Sequence, residues 1–151
     1  MRVFADLDEV RAAVGAELGP SGWHTVTQEQ VNLFADATED HQWIHVDTER
    51  ATAGPFGGTI AHGHLTLSML PKFTGQLWRV EGLSMVVNYG LNRVRFPSPV
   101  LVGSRLRARG VLTEVAEVPT GLQLTLVVTV EIEGQAKPAC VAESLARLVA
   151  G

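Results

Sequence analysis

The chain has 151 residues, 46% of them apolar and 19% charged, which is the composition of a soluble globular domain long enough to bury one core. Twelve Lys and Arg against sixteen Asp and Glu leave a net charge of -4, removing the broad basic field that non-specific nucleic-acid binding needs. The lone cysteine, Cys140, excludes an internal disulfide and a thiolate zinc site, and an acidic N-terminus without an apolar run of about 18 residues predicts a cytoplasmic protein with no membrane span.

Leu7, Val10, Val14 and Leu18 recur at helical spacing until Gly19-Pro20, which predicts a first amphipathic helix ending there. Thr27 with Gln30 has the form of a capping box, and Val31, Phe34, Ala35 and Thr38 carry a second helix to about residue 38. From Glu39 to Pro55, polar residues surround Trp43 and Ile44. This stretch reads as a long ordered excursion with one short helix near Thr48 to Ala53. The segment FGGTIAHGHLTLSMLPKFTGQLW then runs apolar on most sides through Phe73, as a buried helix does, with Pro71 expected to kink or shorten it.

Beyond residue 83 the period becomes two. Leu122, Leu124, Leu126, Val128, Val130 and Ile132 share one face of a strand, and Leu106, Ala108 and Leu112 alternate with Arg105, Arg107 and Arg109 in another. Ser84 to Phe96 and Ala139 to Val149 also look extended. Long strands without intervening helices imply an antiparallel sheet, and its apolar face needs a cover. The expected fold is α+β, one domain over residues 1–151 in which the sheet wraps the buried helix.

Four of the five histidines fall in two clusters, DHQWIH at 40–45 and HGH at 62–64. Three chemistries compete for them. His41 and His45 with His62 and His64 have partial metal-ligand spacing, but no acid follows HGH until Glu81, and only Asp40 or Asp47 is otherwise at hand. Thr66 or Ser68 beside HGH lacks the G-x-S-x-G turn of an activated serine, and Cys140 sits in an alternating strand where a buried, inert thiol is expected. The third chemistry makes Asp40 and His45 a general acid and base around one water, as reversible hydration of an activated double bond requires. An offset of five is about 140° round a helix, so the two converge only if the helix does not contain both. Backbone N–H groups at the HGH helix start would receive the charge that develops on a thioester oxygen, and Gly63 would allow close approach.

The segments FADATEDHQWIHVD, GGTIAHGHLTLSML and NYGLNRVRFPSPVLVGSRLRA together resemble the MaoC-like dehydratases, which include the (R)-specific enoyl-CoA hydratases. The resemblance spans roughly residues 22–150. It implies a hot-dog fold, an antiparallel sheet around a long central helix, and a homodimer or dimer of dimers. It further implies that Asp40 and His45 hold the catalytic water and that the Gly63 N–H polarises the thioester carbonyl of an enoyl-CoA, giving the (R)-3-hydroxyacyl product. No cofactor is expected, coenzyme A being part of the substrate. His62, Arg93 and Arg95 are weaker candidates for substrate contact, the arginines for coenzyme A phosphates. The sequence departs from the family where Glu39 replaces a usual Gly and Gln42-Trp43 replace the usual Asn-Pro before the apolar residue that precedes the His. A thioesterase and a non-catalytic subunit binding an acyl chain or a partner chain are the alternatives, since a fold does not fix a function.

Overall fold

The period-two runs become four long antiparallel strands in the computed structural model, which describes residues 1–151. In chain order the elements are β1 (Arg2–Phe4), α1 (Leu7–Arg11), β2 (Glu17–Leu18), β3 (His24–Thr25), α2 (Gln28–Thr38), α3 (Trp43–Val46), α4 (Thr48–Thr52), α5 (Gly63–Ser68), α6 (Leu70–Leu77), β4 (Trp78–Val80), β5 (Leu83–Arg95), β6 (Arg105–Val118), β7 (Gly121–Ile132) and β8 (Cys140–Ala150). The main sheet has the order β2-β6-β7-β8-β5, with β3 also on β6, and every pairing in it is antiparallel. β1 and β4 form a small parallel pair of their own.

The inward face is the one the alternation marks. Leu122, Leu124, Leu126, Val128, Val130 and Ile132 of β7 are all buried, as are Leu106, Ala108 and Leu112 of β6. They close on the helical segment from Gly63 to Leu77, whose Phe73 and Leu77 are 0% exposed. A methyl added to Gly110 would meet Leu77 and Leu126 carbons at 3.3 Å, so the absence of a side chain there lets helix and sheet approach closely. The result is the hot-dog arrangement, an α+β fold.

Two expectations change. The first helix stops at Arg11 instead of reaching Gly19. Gly15 turns the chain with φ +89° and donates its N–H to Leu112 at 2.7 Å, and Leu18 then pairs with Gly110 as strand β2. The backbone groups on that edge of β6 need partners, and satisfying them outweighs a helical stripe of four apolar residues. The central helix breaks at Met69, and Pro71 is the second residue of α6, where its missing N–H has no acceptor to lose.

The second helix begins as its sequence predicts, with the Gln30 N–H donating to Thr27 Oγ1 at 3.2 Å. The reciprocal half of the capping box is absent, because the Gln30 side chain turns to His24 and to the Met69 sulfur. Cys140 is fully buried and its thiol is pushed up to about 11 by burial, which leaves it protonated and inert at neutral pH.

Candidate active site

Asp40 and His45 meet because one helix ends just before Asp40 and another begins between the two. α2 terminates at Glu39, a non-glycine residue held in the left-handed region at φ +60°. That turn throws Asp40 clear of both helices, and α3 starts three residues later with His45 on its single turn. The angular divergence expected of one continuous helix therefore never applies. Glu39 occupies the position where the family commonly has Gly, and its backbone angle shows why glycine suits it.

Three separate contacts hold His45. Its own N–H donates to the Gln42 carbonyl at 3.0 Å, and its carbonyl accepts from Gln28 Nε2 at 2.7 Å. The ring Nδ1 lies 2.6 Å from the carbonyl of Ile60. A carbonyl only accepts, so Nδ1 carries the proton and Nε2 presents a lone pair. The ring is buried, and burial lowers its pKa from the ordinary histidine value, partly opposed by the Ile60 bond. Neutral imidazole is the form that can accept a proton. Asp40 is the contrasting member, with 53% of its side chain exposed and only a weak contact at 3.4 Å from the Gln42 N–H.

A carboxylate oxygen of Asp40 and one ring nitrogen each of His45 and His62 lie within 4.8 Å of one another. Two groups that each bond one water at roughly 2.8 Å stand no more than about 5.6 Å apart, so Asp40 and His45 are close enough to share one. His62, a weaker candidate from its sequence for substrate contact, is a member of this cluster. It is 3% exposed, and its ring stacks on that of His45 with centroids 3.8 Å apart and planes 25° apart. Its Nε2 donates to the Asp40 carbonyl at 2.9 Å.

Gly63, the first residue of α5, has a different reason for being glycine from the one its sequence context implies. The space a Cβ would fill is occupied by the Phe96 ring, with atoms at 3.0 to 3.2 Å. Its N–H remains free, since the first groups of a helix have no intrahelical acceptor and none is supplied from elsewhere in the chain. His41 and His64 stand apart from the cluster, the first paired with Asp36 at 2.7 Å and the second exposed against Phe96.

The arginines divide as their strands predict. Arg105 pairs with Glu133, and Arg107 and Arg109 pair with Glu131, making a solvated outer sheet face. Arg93 and Arg95 on β5 are exposed, and Arg95 bonds only the neighbouring Val94 carbonyl. Gln28, Thr59 and Phe34 carry no sequence signal of their role, yet they complete the site. Gln28 accepts from Thr59 Oγ1 at 2.6 Å while it holds the His45 carbonyl, and Phe34 leans on His62 with centroids 5.0 Å apart.

The profile of the MaoC like domain matches residues 9–133. The chain belongs to the MaoC-like dehydratase family. Its dehydratase or hydratase class is supported by a relative 58% identical over 151 residues, 3-hydroxyacyl-thioester dehydratase Z of Mycobacterium tuberculosis strain H37Rv, with 99% of this chain and 100% of the relative aligned. Nodulation protein N of Rhizobium leguminosarum is 52% identical over 140 residues, covering 90% of this chain and 86% of that protein. Among solved structures, the (R)-hydratase from A. caviae involved in PHA biosynthesis superposes with a TM-score of 0.73 at 25% identity, covering 89% of this MaoC-like chain and 96% of the hydratase.

Proposed function

We propose that this MaoC-like protein adds water reversibly to a trans-2-enoyl thioester, giving the (R)-3-hydroxyacyl thioester, with Asp40 and His45 as the catalytic pair. The observation that carries this reading is the Ile60 bond, which fixes the His45 tautomer with a lone pair on Nε2, in a ring that has one nitrogen within 4.8 Å of an Asp40 carboxylate oxygen. One water bonded to both loses a proton to the pair as its oxygen joins Cβ, and that proton returns to Cα. The pair ends as it began. Negative charge that gathers on the thioester oxygen is received by the free Gly63 N–H.

Coenzyme A is the proposed carrier, with the unpaired Arg93 and Arg95 available to its phosphates. A half-open cavity of about 430 Å³ along α6, walled by Leu70, Trp78, Leu83 and Leu126 with Arg79, Asn88 and Ser144 also in its lining, is the proposed seat of the alkyl tail. The stacked rings of His45 and His62 argue against a shared metal, because an ion in the plane of one imidazole lies out of the plane of the other. No helix is long and apolar enough to cross a membrane.

β5 supports a homodimer. It forms one edge of the sheet, with its outer side unpaired, and it exposes Met85, Val86, Val87, Tyr89 and Leu91. A long apolar edge is a template for a second chain, and two such edges satisfy one another.

Following loss of the conjugated enoyl absorbance with crotonyl-CoA and longer enoyl-CoAs tests the reading. Turnover that survives a chelator is the expected result. No hydration at any acyl length overturns the proposal, and release of free thiol without hydration would replace it with thioester hydrolysis.

A further inference from the structure

Resting on the hydratase reading, we propose that His62 is the positioning residue of the catalytic pair, holding the main chain of Asp40 by a hydrogen bond and the ring of His45 by stacking. Asp40 needs such a hold. It follows a left-handed residue, its side chain is half exposed, and its one contact within its own turn is the 3.4 Å approach of the Gln42 N–H. The bond of 2.9 Å from His62 Nε2 to the Asp40 carbonyl is the contact that ties this turn to the HGH segment, 22 residues on. The carboxylate itself is 3.9 Å from the same nitrogen, too far for a direct bond. His62 therefore acts on the backbone and leaves the carboxylate to the water.

The other face of the same ring fixes His45. The two imidazole centroids are 3.8 Å apart, and Phe34 also packs against His62 at 5.0 Å, so two aromatic neighbours restrain the ring. Its second nitrogen, Nδ1, is buried without any partner. A buried acceptor left unpaired is unfavourable and rare, and the orientation persists here because it alone points Nε2 at Asp40. The bond to the Asp40 carbonyl already occupies the His62 Nε2 proton, so in this proposal the ring orients the pair.

Two substitutions separate the hydrogen bond from the stack. His62→Phe keeps a ring on His45 and removes the donor, whereas His62→Gln supplies an N–H near the position of Nε2. With crotonyl-CoA, kcat of the Phe variant is expected to fall about 30-fold or more at a KM within about 3-fold of wild type, as misplacement of a reacting group does, and the Gln variant recovers to within about 5-fold. Full activity of the Phe variant overturns the inference, as does equal loss in both variants. Inactivity of the wild type instead overturns the hydratase reading and takes this inference with it. Should the variants fail to fold, the imidazole ¹⁵N spectrum of the wild type at pH 8 decides. His62 protonated on Nε2 is expected, and the Nδ1–H tautomer would break the bond to Asp40 on which the proposal stands.

Discussion

A neutral imidazole is favoured by burial, and His45 is buried where its partner Asp40 has 53% of its side chain exposed. Because burial lowers the His45 pKa, the ring stays neutral to a lower pH than a free histidine. The acid limb of kcat/KM is accordingly expected to fall below the ordinary value near 6.5. The same shift affects stability. Between the lowered folded pKa and the ordinary unfolded value, the unfolded chain binds the extra proton, so this contribution is present above the unfolded pKa and is lost as pH falls through the folded one. Asp40→Asn and His45→Gln are each expected to reduce kcat by roughly 100-fold or more with the fold retained by circular dichroism. A fully active Asp40→Asn enzyme would move the chemistry elsewhere. Glu39 offers a change in the other direction. Its left-handed backbone costs a side-chain-bearing residue about 1 kcal/mol, so Glu39→Gly is expected to keep activity and leave the melting temperature unchanged or raised by a few degrees.

The turn of helix that carries His45 is too short to hold itself, and the neighbouring elements supply what it lacks. Gln28, the first residue of α2, reaches the His45 carbonyl with its amide nitrogen and the Thr59 hydroxyl with its amide oxygen. The Ile60 carbonyl accepts the hydrogen bond from His45 Nδ1–H, and the Ile60 N–H donates to the Ile44 carbonyl at 3.0 Å. One side chain thus ties both segments that orient the ring. Gln28→Ala removes three hydrogen bonds, those to the His45 carbonyl and Asn32 and the one from Thr59, and leaves the buried Thr59 hydroxyl without its acceptor, a loss of about 1 to 3 kcal/mol in chemical denaturation. A several-fold drop in kcat at little-changed KM is expected with it, and a variant with wild-type stability and rate would show that α3 is held without the clamp.

In the whole molecule, β5 stands out because a long strand in the main sheet is exposed over nearly all of its length. Its C-terminal end leads into Phe96, which lies on Gly63, so the strand that would meet a second subunit also packs against the start of the catalytic helix. Light scattering on the purified protein is expected to give at least twice the 16.2 kDa of one chain. Charges placed on the edge, as in Val87→Lys with Tyr89→Glu, are expected to yield monomers of much reduced activity. An active species of 16.2 kDa would refute the dimer.

The amino-acid sequence by itself determined the sheet and its inner face, because a period of two leaves no choice of which side of β7 is buried and each residue obeys its own hydrophobicity. It also marked Asp40 and His45, since both lie within a few residues of one another and of a helix end. Only the tertiary structure decided the shortened first helix, where the edge of β6 captured Leu18, the contacts by which His62 joins Asp40 and His45, and the part Gln28 and Thr59 play beside them. Those three act through ring stacking and hydrogen bonds between segments 17 to 31 residues apart in the chain, and such contacts leave no periodic trace. Gly63 shows the same division. Its need for a glycine was legible beside the HGH motif, but the cause is an aromatic ring from the end of a distant strand.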